Sequence, residues 1–185
     1  GRPDVVSFQG YHQWYEKSLY ELIMEILSDR MKSEAVSLGL CAGWTADWKE
    51  GSSKDEMLEK FVRGIDFCIE HNWPSTEVMK RDFGDIIHAH GVYVDENVEL
   101  HNPKTIVLNG VCEAEIIADG FSAPEIYVRH NSVVNIKVSG FSMAHISVYD
   151  NAQLNVSCNE HAKCFVYKYG GKVVQEGNVI IRDRT

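Results

Sequence analysis

From about residue 101 the chain falls into lines of ten that agree with one another. The sixth place reads Ile106, Ile116, Ile126, Ile136, Ile146, Val156 and Val166, and the eighth reads Leu108, Ala118, Val128, Val138, Val148 and Cys158 before failing at Lys168. Ten is an even number, so side chains that alternate along a strand keep the same inward phase from line to line. A continuous core follows: Cys112, Ala114, Ile116 and Ala118 turn inward, then Ser122, Pro124, Ile126 and Val128, then Ser132, Val134, Ile136 and Val138, then Ser142, Ala144, Ile146 and Val148.

The full repeat is twenty residues, because Gly120-Phe121-Ser122 recurs as Gly140-Phe141-Ser142, while His130-Asn131-Ser132 is answered by Asp150-Asn151-Ala152 and then by Gly170-Gly171. Two corners alternate, each holding residues that tolerate positive φ. Equivalent residues at a fixed interval mark a β-solenoid, in which coils stack as parallel in-register strands about 4.8 Å apart. A β-sandwich also places turns every roughly 8–12 residues. Antiparallel pairing gives no reason for identical corners at twenty, so the solenoid is the expected fold and the sandwich its alternative.

The first half reads as helical. Tyr15, Leu19, Leu22, Ile23, Ile26 and Met31 share helical spacing within residues 11–32, with Glu16, Lys17, Glu21, Glu25 and Asp29 on the other side. That apolar face must pack on the rest of the chain or on a second copy. Trp44 and Trp48 are expected to pin a small core. Ser53-Lys54-Asp55-Glu56 has capping-box spacing ahead of a stripe of Met57, Phe61, Ile65, Cys68 and Ile69, which Asn72-Trp73-Pro74 ends. Ser75-Thr76-Glu77 caps a further short helix, and Gly91 closes the segment. The expected class is therefore α+β, with a helical region over residues 1–91 capping a solenoid of about four two-armed coils over residues 92–185. The last strand, Val179-Ile180-Ile181, runs into Arg182-Asp183-Arg184, charges that discourage edge pairing. A particle of fixed length is expected.

Composition excludes several function classes. The net charge of −9 comes from ten basic and sixteen acidic residues over 1–90 and eight and eleven over the remainder, so neither half offers the clustered basic surface that nucleic acid requires. No apolar run approaches a membrane span, and the first residues lack the regions of a signal peptide. The chain begins Gly1-Arg2-Pro3 rather than with methionine, so removal of an upstream segment is an expectation. Cys41, Cys68, Cys112, Cys158 and Cys164 are odd in number without a C-x-x-C pair, and they read as small buried residues in a reducing, cytoplasmic compartment. His88-Ala89-His90 is the one metal-like pair. Residues two apart do not share a helix face and no third ligand is evident, so solvated histidines at a helix C-terminus are expected, with no metal and no cofactor.

The outward residues of the two arms differ. One arm carries Glu125, Tyr127 and Arg129, then His145, Ser147 and Tyr149, then Phe165, Tyr167 and Tyr169; the other carries Glu115, Ile117 and Asp119, then Asn135, Lys137 and Ser139, then Asn155, Ser157 and Asn159. Arg129, Tyr149 and Tyr169 recur at twenty, and aromatic surface with an arginine is what protein interfaces enrich. The expected interaction face is Tyr127, Arg129, His145, Tyr149, Phe165, Tyr167 and Tyr169, for a protein partner or for self-association as a homo-oligomer. Packing of the helical half on that face is the competing expectation, and a glycan platform is a further one. A hydrolase or transferase would use the Tyr127, Arg129, His130 and Asp150 neighbourhood, with the imidazole above the carboxylate as a base. No nucleophile or oxyanion arrangement accompanies it, so a non-catalytic role is expected.

Gly39-Leu40-Cys41 with the nearby Trp44, Gly64-Ile65-Asp66-Phe67-Cys68, Val92-Tyr93-Val94-Asp95 and Tyr127-Val128-Arg129-His130-Asn131-Ser132 carry a resemblance. Over roughly residues 35–180 the chain resembles an uncharacterised family of bacterial proteins, met in gut species and in prophage or mobile-element surroundings. The family has no established activity, so the resemblance transfers no catalytic residue. It implies a cytoplasmic or phage-related accessory role.

Overall fold

The computed structural model describes the backbone of residues 8–185 and the side chains of residues 19–185; the Tyr15 end of the apolar stripe lies outside the described side chains. The chain divides into two compact units, Gly1–Trp73 and Pro74–Thr185.

In the first unit, α1 (Phe8–Ser37) is followed by α2 (Ala42–Asp47), α3 (Lys54–Arg63) and α4 (Ile65–Glu70). Helix α1 extends beyond the 11–32 expected from periodicity and stops before Gly39, whose φ of +99° leaves the helical ladder. Its Met24, Leu27, Ser28, Met31 and Ala35 are buried, and the Trp48 indole donates to Ser28 Oγ at 3.0 Å, so this tryptophan fills the small core with its polar edge satisfied. Trp44 instead lies half-buried under the Arg63 guanidinium, 5.4 Å from its ring centre.

Ser53 Oγ accepts from the Glu56 amide at 3.1 Å, as the cap requires, while the Glu56 carboxylate returns to the Ser53 hydroxyl at 3.2 Å. Of the expected stripe, Met57, Phe61, Ile65 and Cys68 are buried and Ile69 is half-buried. The stripe belongs to two helices rather than one, because Gly64, at φ −101° and ψ +30°, leaves helical geometry between α3 and α4. Glycine gives up the most conformational freedom in a helix, and it yields first where two short segments must reorient.

The second unit starts with Ser75 Oγ accepting from the Val78 amide at 3.2 Å. One α turn (α5, Thr76–Val78) widens into a π turn (Met79–Phe83) and tightens into a 3-10 segment (Gly84–His90) that Gly91 closes in the left-handed region. A side chain at Gly91 would strike the Thr105 carbonyl. The boundary between units falls after Trp73, so residues 74–91 belong with the coils. Lys80 pairs with Asp95, His88 Nε2 lies 2.6 Å from Glu96, and the His88 ring stacks on Tyr93 at 5.2 Å. His88 thus serves a hydrogen bond and a ring contact, and among the described residues no three His, Cys, Asp or Glu side chains converge as a metal site would need.

Eleven strands follow: β1 (Val92–Val94), β2 (Asn97–His101), β3 (Thr105–Asn109), β4 (Glu113–Ala118), β5 (Glu125–Val128), β6 (Val133–Val138), β7 (Met143–Val148), β8 (Gln153–Cys158), β9 (Lys163–Lys168), β10 (Lys172–Gly177) and β11 (Val179–Asp183). Odd strands form one sheet in the order β1-β3-β5-β7-β9-β11 and even strands the other, β2-β4-β6-β8-β10. Every pairing is parallel. The protein is therefore an α+β β-solenoid of about four coils, and the sandwich alternative falls with the absence of antiparallel ladders among the described residues.

Register explains where the sequence repeat holds. Ile106 pairs with Ile126, Ile126 with Ile146 and Ile146 with Val166, each twenty apart, whereas Val92 pairs with Val107 and Cys164 with Val179 across a shorter fifteen. The outer coils are shorter, so the lines of ten lose phase there. Between them, Ile126, Val128, Val134, Val138, Ala144, Ile146 and Val148 are fully buried. The inward serines at the corners are satisfied across coils: Ser132 Oγ accepts from the Cys112 amide at 3.1 Å and donates to the Gly110 carbonyl at 3.1 Å. No helix among the described residues is long and apolar enough to cross a membrane.

Candidate surface site on the odd-stranded sheet

In-register parallel pairing sets Glu125, His145 and Phe165 in one column and Tyr127, Ser147 and Tyr167 in the next. Strands about 4.8 Å apart leave flat side chains in one column little choice but to lie ring over ring. The His145 and Phe165 rings stack at 5.1 Å with 12° between planes, and Tyr167 lies 6.2 Å from His145 at 10°. Just past the strands, Tyr149 and Tyr169 stack at 4.9 Å and 3°. Tyr127 donates its hydroxyl to Glu125 on the same strand. These rings are held in place by their neighbours in adjacent coils.

Arg129 does not belong to this exposed face. It was expected outward above the tyrosines, yet it is only 2% exposed, and its Nη1 donates to Asn109 Oδ1 at 2.7 Å one coil away. The cause is local. Alternation stops at Val128, where β5 ends, and residue 129 enters the corner that His130 turns at φ +57°. From Arg129 through half-buried Tyr149 to exposed Tyr169, the same corner place emerges progressively from the protein.

His130 and Asp150 both engage backbone at this corner: Asp150 Oδ2 accepts from the His130 backbone amide at 2.9 Å, and His130 Nδ1 accepts from the Gly110 amide at 2.8 Å. At the opposite corner Glu160 Oε2 accepts from the Gly140 amide at 3.0 Å. His130, Asp150 and Glu160 all have positive φ, at +57°, +56° and +59°. A left-handed non-glycine residue costs roughly 1–2 kcal/mol. Here each offsets that cost by capping a backbone N–H in the coil before it. The asparagines expected to turn this corner, Asn131 and Asn151, each follow the left-handed residue.

A lone pair committed to the Gly110 amide fixes His130 as the neutral Nε2–H tautomer. Burial holds its pKa below the usual histidine range, the nearby Arg129 charge acts in the same direction, and Asp150 and Asp95 oppose both. A folded pKa below the unfolded value means that the unfolded chain binds more protons between the two. The contribution is therefore complete above the unfolded value of 6.5 and is lost as pH falls through the folded one. His130→Asn keeps an acceptor of the length that Asp150 already uses at this corner, and it tolerates positive φ. Melting temperature measured from about pH 7.5 down to pH 5 should fall less steeply for His130→Asn than for the parent chain; parallel slopes would remove His130 from this role.

Two surfaces escaped the sequence reading as sites. At the other corner Phe121, Phe141 and His161 stack at 5.2 and 4.9 Å, with Phe121 85% exposed. Their spacing of twenty was legible, but it was read only as a corner signal. On the even-stranded sheet an open groove of about 710 Å³ runs along Glu115, Asn135 and Asn155, where Asn155 donates to Asn135 and Asn135 to Glu115, both at 2.7 Å. Such ladders satisfy the side chains along the coil axis. Comparison with known proteins finds no match among family models, curated proteins or solved structures.

Proposed function

We propose that this protein is a non-catalytic interaction module whose odd-stranded sheet presents His145, Tyr149, Phe165, Tyr167 and Tyr169 to a protein partner. The observation that carries this reading is the pair of pre-formed ring stacks, at 5.1 and 4.9 Å. Ordering a flexible side chain on binding costs roughly 0.5–1.5 kcal/mol each. Rings already ordered by the coil avoid that cost, and their exposed edges and hydroxyls suit the mixed apolar and polar contacts of a protein interface. A pyranose lies on an open ring face, and here stacked rings cover one another, which favours a protein over a glycan. The commitment of His130 Nδ1 and Asp150 Oδ2 to backbone amides weighs against the hydrolase or transferase alternative. A cytoplasmic, prophage or mobile-element setting is the context that the resemblance implies for such a module.

A photo-cross-linking residue in place of Ser147, at the centre of the face, tests the proposal in cells of the source organism. The expected result is a discrete adduct with a second protein, absent from the Tyr149→Ser/Tyr169→Ser variant. With that partner purified, the double variant should bind at least about 30-fold more weakly, the equivalent of one hot-spot residue of ~2 kcal/mol, while its melting temperature changes little. Adducts formed only within the chain would show that its own helices cover the face, and the proposal would fail.

A further inference from the structure

Two of the cysteines meet inside the solenoid. Cys158 closes β8 and Cys164 is the first inward residue of β9, one on either side of the corner at residues 159–163. Both are buried, at 1% and 0% exposure. The parallel register sets them directly over Val138 and Ala144, which hold the same two places in the coil below.

The coil above fixes how far apart they lie. There the corner shrinks to a single residue: Gly177 pairs with Cys158, Val179 pairs with Cys164, and only Asn178 stands between them. Two peptide units span at most about 7 Å between Cα atoms, and less where the chain bends. Parallel strands in register carry that separation down one coil nearly unchanged, so the Cys158 and Cys164 Cα atoms are held about 5–7 Å apart, the spacing a disulfide takes. Asn178 secures this from both sides, since its amide donates to the Cys158 carbonyl at 2.9 Å and its carbonyl accepts from the Cys164 amide at 3.2 Å. The two strands belong to opposite sheets and both side chains turn inward, so the thiols converge and are hydrogen-bonded to one another.

We infer that Cys158 and Cys164 form an oxidisable dithiol, a modification site at which a small-molecule disulfide installs an internal cross-link across the last full corner of the solenoid. The Cys158 thiolate attacks one sulfur of the oxidant, forming a mixed disulfide and expelling one thiolate; the Cys164 thiolate then attacks the Cys158 sulfur, closing the protein disulfide and expelling the second. The two protein thiol protons end on the expelled thiolates, so one oxidant disulfide becomes two thiols. Burial raises both cysteine pKa values, and the hydrogen bond between them offsets part of that at Cys158 while raising Cys164 further, which makes Cys158 the first to attack. Access is governed by the terminal coil. Gly177 seats so closely on the Cys158 carbonyl that a side chain there would collide, and β10 and β11 are the end strands of their sheets. An end coil has a neighbour on one side alone, and its local opening exposes the pair. Reduced, the two thiols are ordinary core residues; cross-linked, they pin β8 to β9 beneath the coil most prone to fray.

The full chain carrying Cys41→Ser tests this, because Cys41 is exposed and would react first. Reduced protein is held with oxidised glutathione under native conditions, then unfolded in iodoacetamide and digested with trypsin. Cleavage after Lys163 separates the two cysteines, so the expected product is peptide 138–163 disulfide-linked to peptide 164–168, with Cys68 and Cys112 alkylated. The cross-linked form should melt about 3–8 °C above the reduced form, the effect of closing a short loop in a protein of this size, and dithiothreitol should reverse the rise. Cys158→Val/Cys164→Ala copies the pair in the coil below, and it should fold and melt at one temperature in both redox states. Recovery of Cys158 and Cys164 as alkylated thiols or as unresolved glutathione adducts overturns the inference. So does a linked form that melts below the reduced one, because the two Cα atoms would then stand outside disulfide range.

Discussion

Ile146→Ala should lower the unfolding free energy by about 2–5 kcal/mol, the range for removing a large aliphatic side chain from a packed core. Ile146 is fully buried at the middle of β7, and the register places Ile126 below it and Val166 above it in one column. Truncation opens a void between two stacked side chains whose backbones are held apart by ladder hydrogen bonds, so the site cannot collapse to fill it. In a stacked architecture each coil is stabilised chiefly by its neighbours, and a void in an inner coil weakens two interfaces together. Ile180→Ala is the control, because Ile180 is a β11 side chain that is 43% exposed and pairs outside the core column. Its effect should stay under about 1 kcal/mol. Urea denaturation reads both; equal losses would mean that the inward phase has been misassigned.

Gly140→Ala should destabilise by about 3 kcal/mol, clearly more than Gly120→Ala at about 1–2 kcal/mol. Both glycines turn the same corner, at φ +67° and +64°. They differ in what lies beneath. A methyl group at Gly140 would stand 2.9 Å from the Gly120 amide nitrogen and 3.0 Å from its carbonyl oxygen, whereas at Gly120 nothing lies within 4 Å. Left-handed strain is common to the two, and the backbone collision belongs to Gly140 alone. The same comparison explains Glu160, which has a Cβ at this corner one coil on and gains the Gly140 amide as compensation. Comparable losses in the two variants would show that coils are free to part at this corner.

Periodicity carried the core of the solenoid because alternation and an even repeat are properties of the strand itself, so Ile126, Ile136 and Ile146 could be placed inside without coordinates. It failed where the chain leaves the strand. Arg129 looked outward by counting, but the count has no meaning once β5 has ended. The corners were legible as places for left-handed backbone, but that His130, Asp150 and Glu160 are the residues that adopt it was not, since what stabilises each is an amide twenty residues earlier in the chain. The break at Gly64 was equally hidden: the stripe from Met57 to Cys68 reads the same whether one helix or two present it. The ring face was legible as a list of outward residues, while its pre-stacked order was not, because ring planes depend on neighbours in other coils.

Taken alone, the sequence determined the length and inward phase of the inner coils and pointed to parallel stacking, all of which follow from side-chain alternation repeated at a constant even interval. Tertiary structure decided which corner residues cap which amides, which aromatic rings are locked together and which stripe of α1 is buried. Those outcomes depend on distances between segments far apart in the chain, and such distances exist only after the coils have stacked.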